Sequence, residues 1–335
     1  LKRGAPAALF AYAEALAAEF PIHLSFITKA ERGRALTDLA TVPIKPLAAE
    51  ADAASAFVAI AAGALVQAVG SLGRFRHAQA AEDLHQTRVG LRRLRSAMLL
   101  FRPMLAGEAF DAVKAELKWL AKATDDARDL DVFLQALQAP ADGLTERHAA
   151  LVERLQTARA AAYGRALAAA GSPRGRIGPI RALGWIEAGD WLDDPAAHAR
   201  RLRARPVRAL AGELLAQRLR RVLRTGEHLK SLDIAARHKL RISTKKLRYA
   251  CGFFADLYGA RAKDEFPAAA AHLQDALGAL TDLDASQTLL ARVFVLLGDG
   301  ESAPAFAITP PVDEAQALVA AGQALDRLQA AEPFW

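Results

Sequence analysis

His85, Arg88, Arg92 and Arg95 stand at steps of three and four residues. At about 100° per residue they fall within roughly 80° of one another on a helix, over a length of about 15 Å. Arg93 flanks this arc, and Leu91, Leu94, Met98 and Phe101 lie opposite, so the stretch predicts a helix with one cationic side and one buried side. Arginine pairs with two oxygens of an anion at once, lysine acts as a point charge, and an imidazole beside a polyanion gains a proton. The chemistry is therefore recognition of an anion with repeated oxygens. No Asp or Glu occurs from Leu84 to Gly107, so the helix cannot relieve its own repulsion.

The same order of residues occurs twice. His85-Gln-Thr-Arg-Val-Gly-Leu-Arg-Arg-Leu-Arg95 aligns without a gap on His238-Lys-Leu-Arg-Ile-Ser-Thr-Lys-Lys-Leu-Arg248, an offset of 153 residues, and the same offset sets Asp129-Leu-Asp131 over Asp282-Leu-Asp284. Two independent matches at one spacing indicate a duplicated helical unit, over about 52–140 and 206–295. In the second copy His238, Arg241, Lys245 and Arg248 form the cationic side, flanked by Lys246, with Leu247, Cys251 and Phe254 behind. A solvated basic face is the bland alternative, but solvation does not require one order of His, Arg and basic pair twice. The two faces are expected to converge on one groove.

The elements that must position these faces are nearly all helical. Apolar residues recur at three- and four-residue steps over Phe110–Gln138, Leu144–Ala169, Val207–Arg224 and Asp264–Leu297, with no alternating strand pattern. Breaks are expected at Pro140–Gly143, Gly171–Pro179, Asp193–Pro195 and Gly298–Pro311. The chain has 335 residues, 53% hydrophobic and 24% charged, with a net charge of +7, enough for a substantial core and a modest basic excess. Cys251, the single cysteine, excludes an internal disulfide, and with no leader pattern at the N-terminus the expected location is the cytoplasm. Ala53–Gly73 is uncharged and long enough to span a bilayer, yet its many Ala and Gly residues favour a buried bundle helix.

The paired His-x-x-Arg-x-x-x-basic-basic-Leu-Arg helices, each followed by Asp-Leu-Asp, resemble the CHAD family of histidine-containing α-helical domains, as does the ending Glu332-Pro-Phe-Trp335. The resemblance covers about residues 50–335 and implies an all-α fold of two pseudo-symmetric four-helix bundle repeats with a basic central groove. It also implies non-catalytic binding of inorganic polyphosphate and association with polyphosphate granules. Carried onto this chain, the binding residues are His85, Arg88, Arg92, Arg93, Arg95, His238, Arg241, Lys245, Lys246 and Arg248. Lys245 and Lys246 replace the arginines of the first copy, and Thr281 stands where the first copy has Arg128. Residues 1–46 resemble the closing part of a CYTH triphosphatase domain plus a linker (Val42–Pro46), followed by the CHAD-like domain over 47–335. On that resemblance the chain is a piece of a longer CYTH-CHAD protein, and any triphosphatase activity belongs to the missing part.

Remaining candidates are secondary. Lys114, Lys118 and Lys122 make a basic stripe without an echo in the second copy, where Lys118 becomes Ala271 and Lys122 becomes Asp275; Lys239 and Tyr249 flank the second basic helix. Asp129 and Asp282 are expected to orient basic side chains. Asp129 and Asp131 point about 200° apart and cannot grip one ion; Asp125 and Asp129 could, but Asp125 becomes Gly278 in the second copy. No catalytic residue, metal or cofactor is expected, and Cys251 reads as a core thiol. Nucleic-acid binding shares the phosphate electrostatics and is the second reading, although only Tyr249 and Phe101 lie near as stacking platforms. A phosphohydrolase is the third.

Overall fold

The computed structural model describes residues 4–27, 47–105, 107–137, 146–259, 265–297 and 313–335, with the side chains of 136, 146–148, 281–290 and 294 outside that description. The expected linker Val42–Pro46, the breaks Pro140–Gly143 and Gly298–Pro311, and the carboxylate of Asp282 lie outside the described residues. The main helices are α1 (Pro6–Glu19), α2 (Ala53–Ala78), α3 (Ala81–Leu100), α4 (Glu108–Lys122), α5 (Asp125–Ala136) and α6 (Glu146–Gly171). They continue with α7 (Pro173–Ala188), α8 (Ala197–Arg203), α9 (Val207–Gly226), α10 (Ile234–Phe254), α11 (Glu265–Leu297) and α12 (Glu314–Ala330). The fold is all-α; among the described residues the one β-type contact outside named strands is an isolated bridge between Asp52 and Pro206.

Local chemistry starts and stops these helices. Asp52, Asp233 and Asp313 each accept backbone N–H bonds at the first turn of α2, α10 and α12, satisfying donors that a helix start leaves open. Gln79 ends α2 in the left-handed region, at φ 51°. The segment Phe110–Gln138 was expected to be continuous, but it divides at Ala123–Thr124 into α4 and α5, where the Thr124 hydroxyl donates to the Ala121 carbonyl at 2.7 Å. The Gly171–Pro179 stretch shows the reverse, because only Ser172 interrupts the helices. Ser172 caps α7 by accepting from the Gly175 N–H at 3.1 Å, Pro173 fits the first turn, and Pro179 lies within the helix. Gly175 is required there, since a Cβ would lie 2.1 Å from the Ala169 carbonyl oxygen.

The chain divides into two compact units. Unit 1 comprises Leu1–Leu47, Ala51–Arg128 and Arg159–Pro206, and unit 2 comprises Ala48–Glu50, Asp129–Ala158 and Val207–Trp335. In unit 1 α2 packs along α3, and Phe57 sits among Phe101, Trp185 and Trp191 with ring centroids 5.2–5.7 Å apart. Helix α2 is long and apolar enough to cross a membrane. Its Phe57, Leu65, Leu72 and Phe75 are instead buried within the unit, each contributing about 1.5–3 kcal/mol to folding. Helix α1 also packs in this unit, against α7: Phe10 covers Gly184, and Arg181 pairs with Glu14 at 2.7 Å. His23, just beyond α1, is held down at about 4 by burial and by Arg76 and Arg176. The core of unit 2 includes Leu247, Phe254, Phe266, Leu273, Leu277, Leu328 and Phe334.

Candidate functional site

Helices α3 and α10 owe their orientation to matching buried strips. Thr87, Leu91, Leu94, Ala97, Met98 and Phe101 are buried in unit 1. At the same offset Leu240, Thr244, Leu247, Ala250, Cys251 and Phe254 are buried in unit 2. The buried threonines return their hydroxyl protons to carbonyls one turn back, Thr87 to Asp83 and Thr244 to Leu240, so neither leaves a polar atom unsatisfied. Burial of one strip turns the opposite cations outward within each unit.

In unit 1 His85, Arg88, Arg92, Arg93 and Arg95 are all half-buried along α3. Arg88 is the anchored member. Its Nη1 donates to the Ala121 carbonyl at 3.0 Å, to Thr124 Oγ1 at 3.1 Å and to Asp125 Oδ1 at 2.5 Å. Arg88 thus carries its own counter-ion and fastens α3 to the α4–α5 junction. Arg92 and Arg95 have no carboxylate partner among the described residues, and Arg92 Nε is buried without an acceptor. Burial, then Arg128, then Arg92 and Arg88 hold the His85 imidazole below its ordinary value, with Glu82 opposing them.

Unit 2 carries His238 exposed, Lys246 exposed, and Arg241, Lys245 and Arg248 half-buried along α10. Here the Arg88 equivalent differs. Arg241 has no carboxylate partner among the described residues, its Nε is buried without an acceptor, and its guanidinium lies against Gly278. Although the residue is exposed, partial desolvation of its ammonium, and then Arg218 and Arg221 of α9, hold Lys246 below its ordinary value. Arg218 is itself lowered by burial and by Arg221. Sequence reading missed this contribution of α9, although Arg218, Arg221 and Arg224 stand at three-residue steps on one side of a helix. With Gln217, Arg220, Leu223 and Glu227 these arginines line a cavity of about 750 Å³ in unit 2.

The secondary residues are less concentrated. Lys114 sits 3.7 Å from Asp111 and above the Phe110 ring, while Lys118, Lys122 and Lys239 are exposed. Tyr249 stacks on Phe253 with centroids 6.4 Å apart, so part of its ring is already covered. Asp129 reaches Arg292 of α11 at 2.5 Å, a contact within unit 2 that the sequence did not suggest. Asp125, weighed from the sequence as a metal ligand, is instead the partner of Arg88. A looser arginine run, Arg200 to Arg208, includes a structural member: Arg203 is 9% exposed and donates to the carbonyls of Trp191 and Asp194 at 2.8 and 2.6 Å. Burial pushes the Cys251 thiol up to about 12, so it is inert at neutral pH.

The crystal structure of the CHAD domain from the plant Ricinus communis matches with a TM-score of 0.63 and 26% identity, over 88% of this chain and 93% of that chain. A second solved structure, PptA from Streptomyces chartreusis, matches with a TM-score of 0.50 and 17% identity, over 84% of this chain and 96% of that one, a likeness of fold alone. No curated protein matches the sequence. The family model described as CHAD domain matches residues 59–291, a span that takes in both basic helices and most of the chain. This chain belongs to the CHAD domain family.

Proposed function

We propose that the chain binds inorganic polyphosphate non-catalytically through the cationic sides of α3 and α10, and that this binding associates it with polyphosphate granules. One observation carries the reading. Half-buried cations, Arg92 and Arg95 in unit 1 and Arg241 and Arg248 in unit 2, have no carboxylate partner among the described residues. Partial desolvation of like charges is unfavourable in the free protein, and a linear polyanion relieves it by pairing and by counterion release. Family membership agrees with this choice of ligand.

The test is binding of size-defined polyphosphate by wild type, Arg95→Glu, Arg248→Glu and the double variant, measured by calorimetry. Arg95 and Arg248 are preferred to Arg88, whose reversal would set a glutamate against Asp125. Each single change is expected to weaken binding and the double change nearly to abolish it, because reversal adds repulsion to a lost contact. Equal affinity across all four proteins overturns the reading. Displacement of long-chain polyphosphate by duplex DNA or RNA at equal phosphate concentration would favour a nucleic-acid ligand instead. Orthophosphate release suppressed by EDTA would overturn the non-catalytic part.

A further inference from the structure

The two copies differ at the residue that faces their shared arginine. In unit 1 Asp125 holds Arg88 through a 2.5 Å ion pair, with the carboxylate side chain 34% and the guanidinium 23% exposed. At the same offset unit 2 places Gly278 against Arg241, where an added Cβ would lie 3.6 Å from Nη2 and 3.7 Å from Nε. The backbone geometry would thus bring a residue-278 side chain to this guanidinium, but the sequence supplies no carboxylate. Unit 2 also gains cations on α9. The buried positions Ala53, Phe57, Ala61 and Ala68 of α2 have the spacing of Val207, Ala211, Leu215 and Val222 of α9. In that register Arg218, Arg221 and Arg224 replace Ala64, Gln67 and Gly70.

We propose that the two copies are unequal phosphate sites: unit 2 is the stronger, centred on Arg241 and helped by the added charge of Arg218 and Arg221 on α9, and the Asp125/Gly278 difference sets the inequality. The proposal rests on the polyphosphate reading above and adds how its two faces are tuned. An anion reaching Arg88 must compete with Asp125 for the guanidinium, and a negative phosphate oxygen meets that carboxylate as a like charge. An anion reaching Arg241 meets no such competitor among the described residues, and further along α10 Lys246, with Arg218 and Arg221 of α9 around it, adds positive charge to the same unit. Asp125 is thereby an internal counter-ion that lowers the affinity of unit 1 while keeping Arg88 in place.

Tripolyphosphate is the probe, because its few charges engage one cluster, and calorimetry measures its affinity for the full chain. Gly278→Asp is expected to weaken binding on the order of tenfold, as a charge-assisted bond to Arg241 replaces one to the ligand. Gly278→Ala is the control for the added Cβ and is expected to leave binding unchanged, since its contacts are ordinary ones. Asp125→Asn, which keeps an acceptor near Arg88, is expected to strengthen binding severalfold. Arg221→Ala is expected to weaken it. Binding that is indifferent to Gly278→Asp, or weakened equally by Gly278→Ala, overturns the proposal, as does weaker binding by Asp125→Asn. If those results appear while Arg95→Glu and Arg248→Glu still weaken long-chain binding, only the inequality fails. If the charge reversals also have no effect, the polyphosphate reading fails with it.

Discussion

Gly90 ties the cationic side of α3 to its packing, and replacing it by alanine separates two effects of opposite sign. An alanine Cβ at Gly90 would lie 2.5 Å from the Ala68 backbone nitrogen, 2.8 Å from its Cα and 2.9 Å from its Cβ. Ordinary contact begins near 3.4 Å, so α3 would have to withdraw from α2 by about 0.9 Å. That displacement opens the strip formed by Leu91, Leu94 and Ala97, all at most 1% exposed. Overpacking against backbone costs about 1–3 kcal/mol, and removing a helical glycine returns up to about 1 kcal/mol. The expected net loss is up to about 2 kcal/mol, or a melting temperature lower by up to roughly 8 °C. Gly252 of α10 provides the control, since an added Cβ meets nothing within 4 Å. There only the propensity gain remains, and the melting temperature should rise by roughly 2–4 °C. Scanning calorimetry on both variants decides the matter: a Gly90→Ala protein that melts above wild type, as Gly252→Ala should, refutes the close-packing argument.

Other expectations follow from the charges. If about six cations contact phosphates at about 0.7 released counterions each, the log–log salt slope is near −4, and affinity falls a few hundredfold between about 50 and 200 mM salt. Arg248→Ala should flatten that slope by about one contact's share, and an unchanged slope would place Arg248 off the ligand. Polyphosphate should raise the depressed pKa of His85 by supplying the negative charge its arginine neighbours lack, so affinity should strengthen as pH falls through and below 6.5, its ordinary value. A wild-type profile that His85→Gln leaves untouched assigns that imidazole no part in binding. Arg203→Ala should destabilise unit 1 by about 1–3 kcal/mol in a urea melt, because the Trp191 and Asp194 carbonyls lose their donor. Its salt slope should match wild type, since Arg203 is a buried structural cation rather than a ligand contact.

Periodicity alone was sufficient for helices α3 and α10, for their buried strips and for the outward side of His85, Arg92, Arg95 and Arg248. These are properties of neighbours three and four residues apart on one helix, set by the 3.6-residue turn. The offset of 153 residues was legible for the same reason, as identity of type at equal spacing. The Gly171–Pro179 stretch was misread because its glycines and prolines have two uses: Pro173 suits a first helical turn, and Gly175 permits the backbone of α7 to approach Ala169. Composition does not distinguish a breaker from a close approach.

The charge state of each face was a tertiary decision. Arg88 and Arg241 are indistinguishable by local pattern, but one meets Asp125 from 37 positions away and the other meets Gly278. Asp129 meets Arg292, and Arg218 reaches the surroundings of Lys246 from a neighbouring helix. Coulomb energy depends on distance through space and on burial, neither of which is written in the separation along a chain. The sequence therefore determined which cations share one side of each helix, and only the packing of helix on helix determined that Arg88 among them is already paired with one of the protein's own carboxylates.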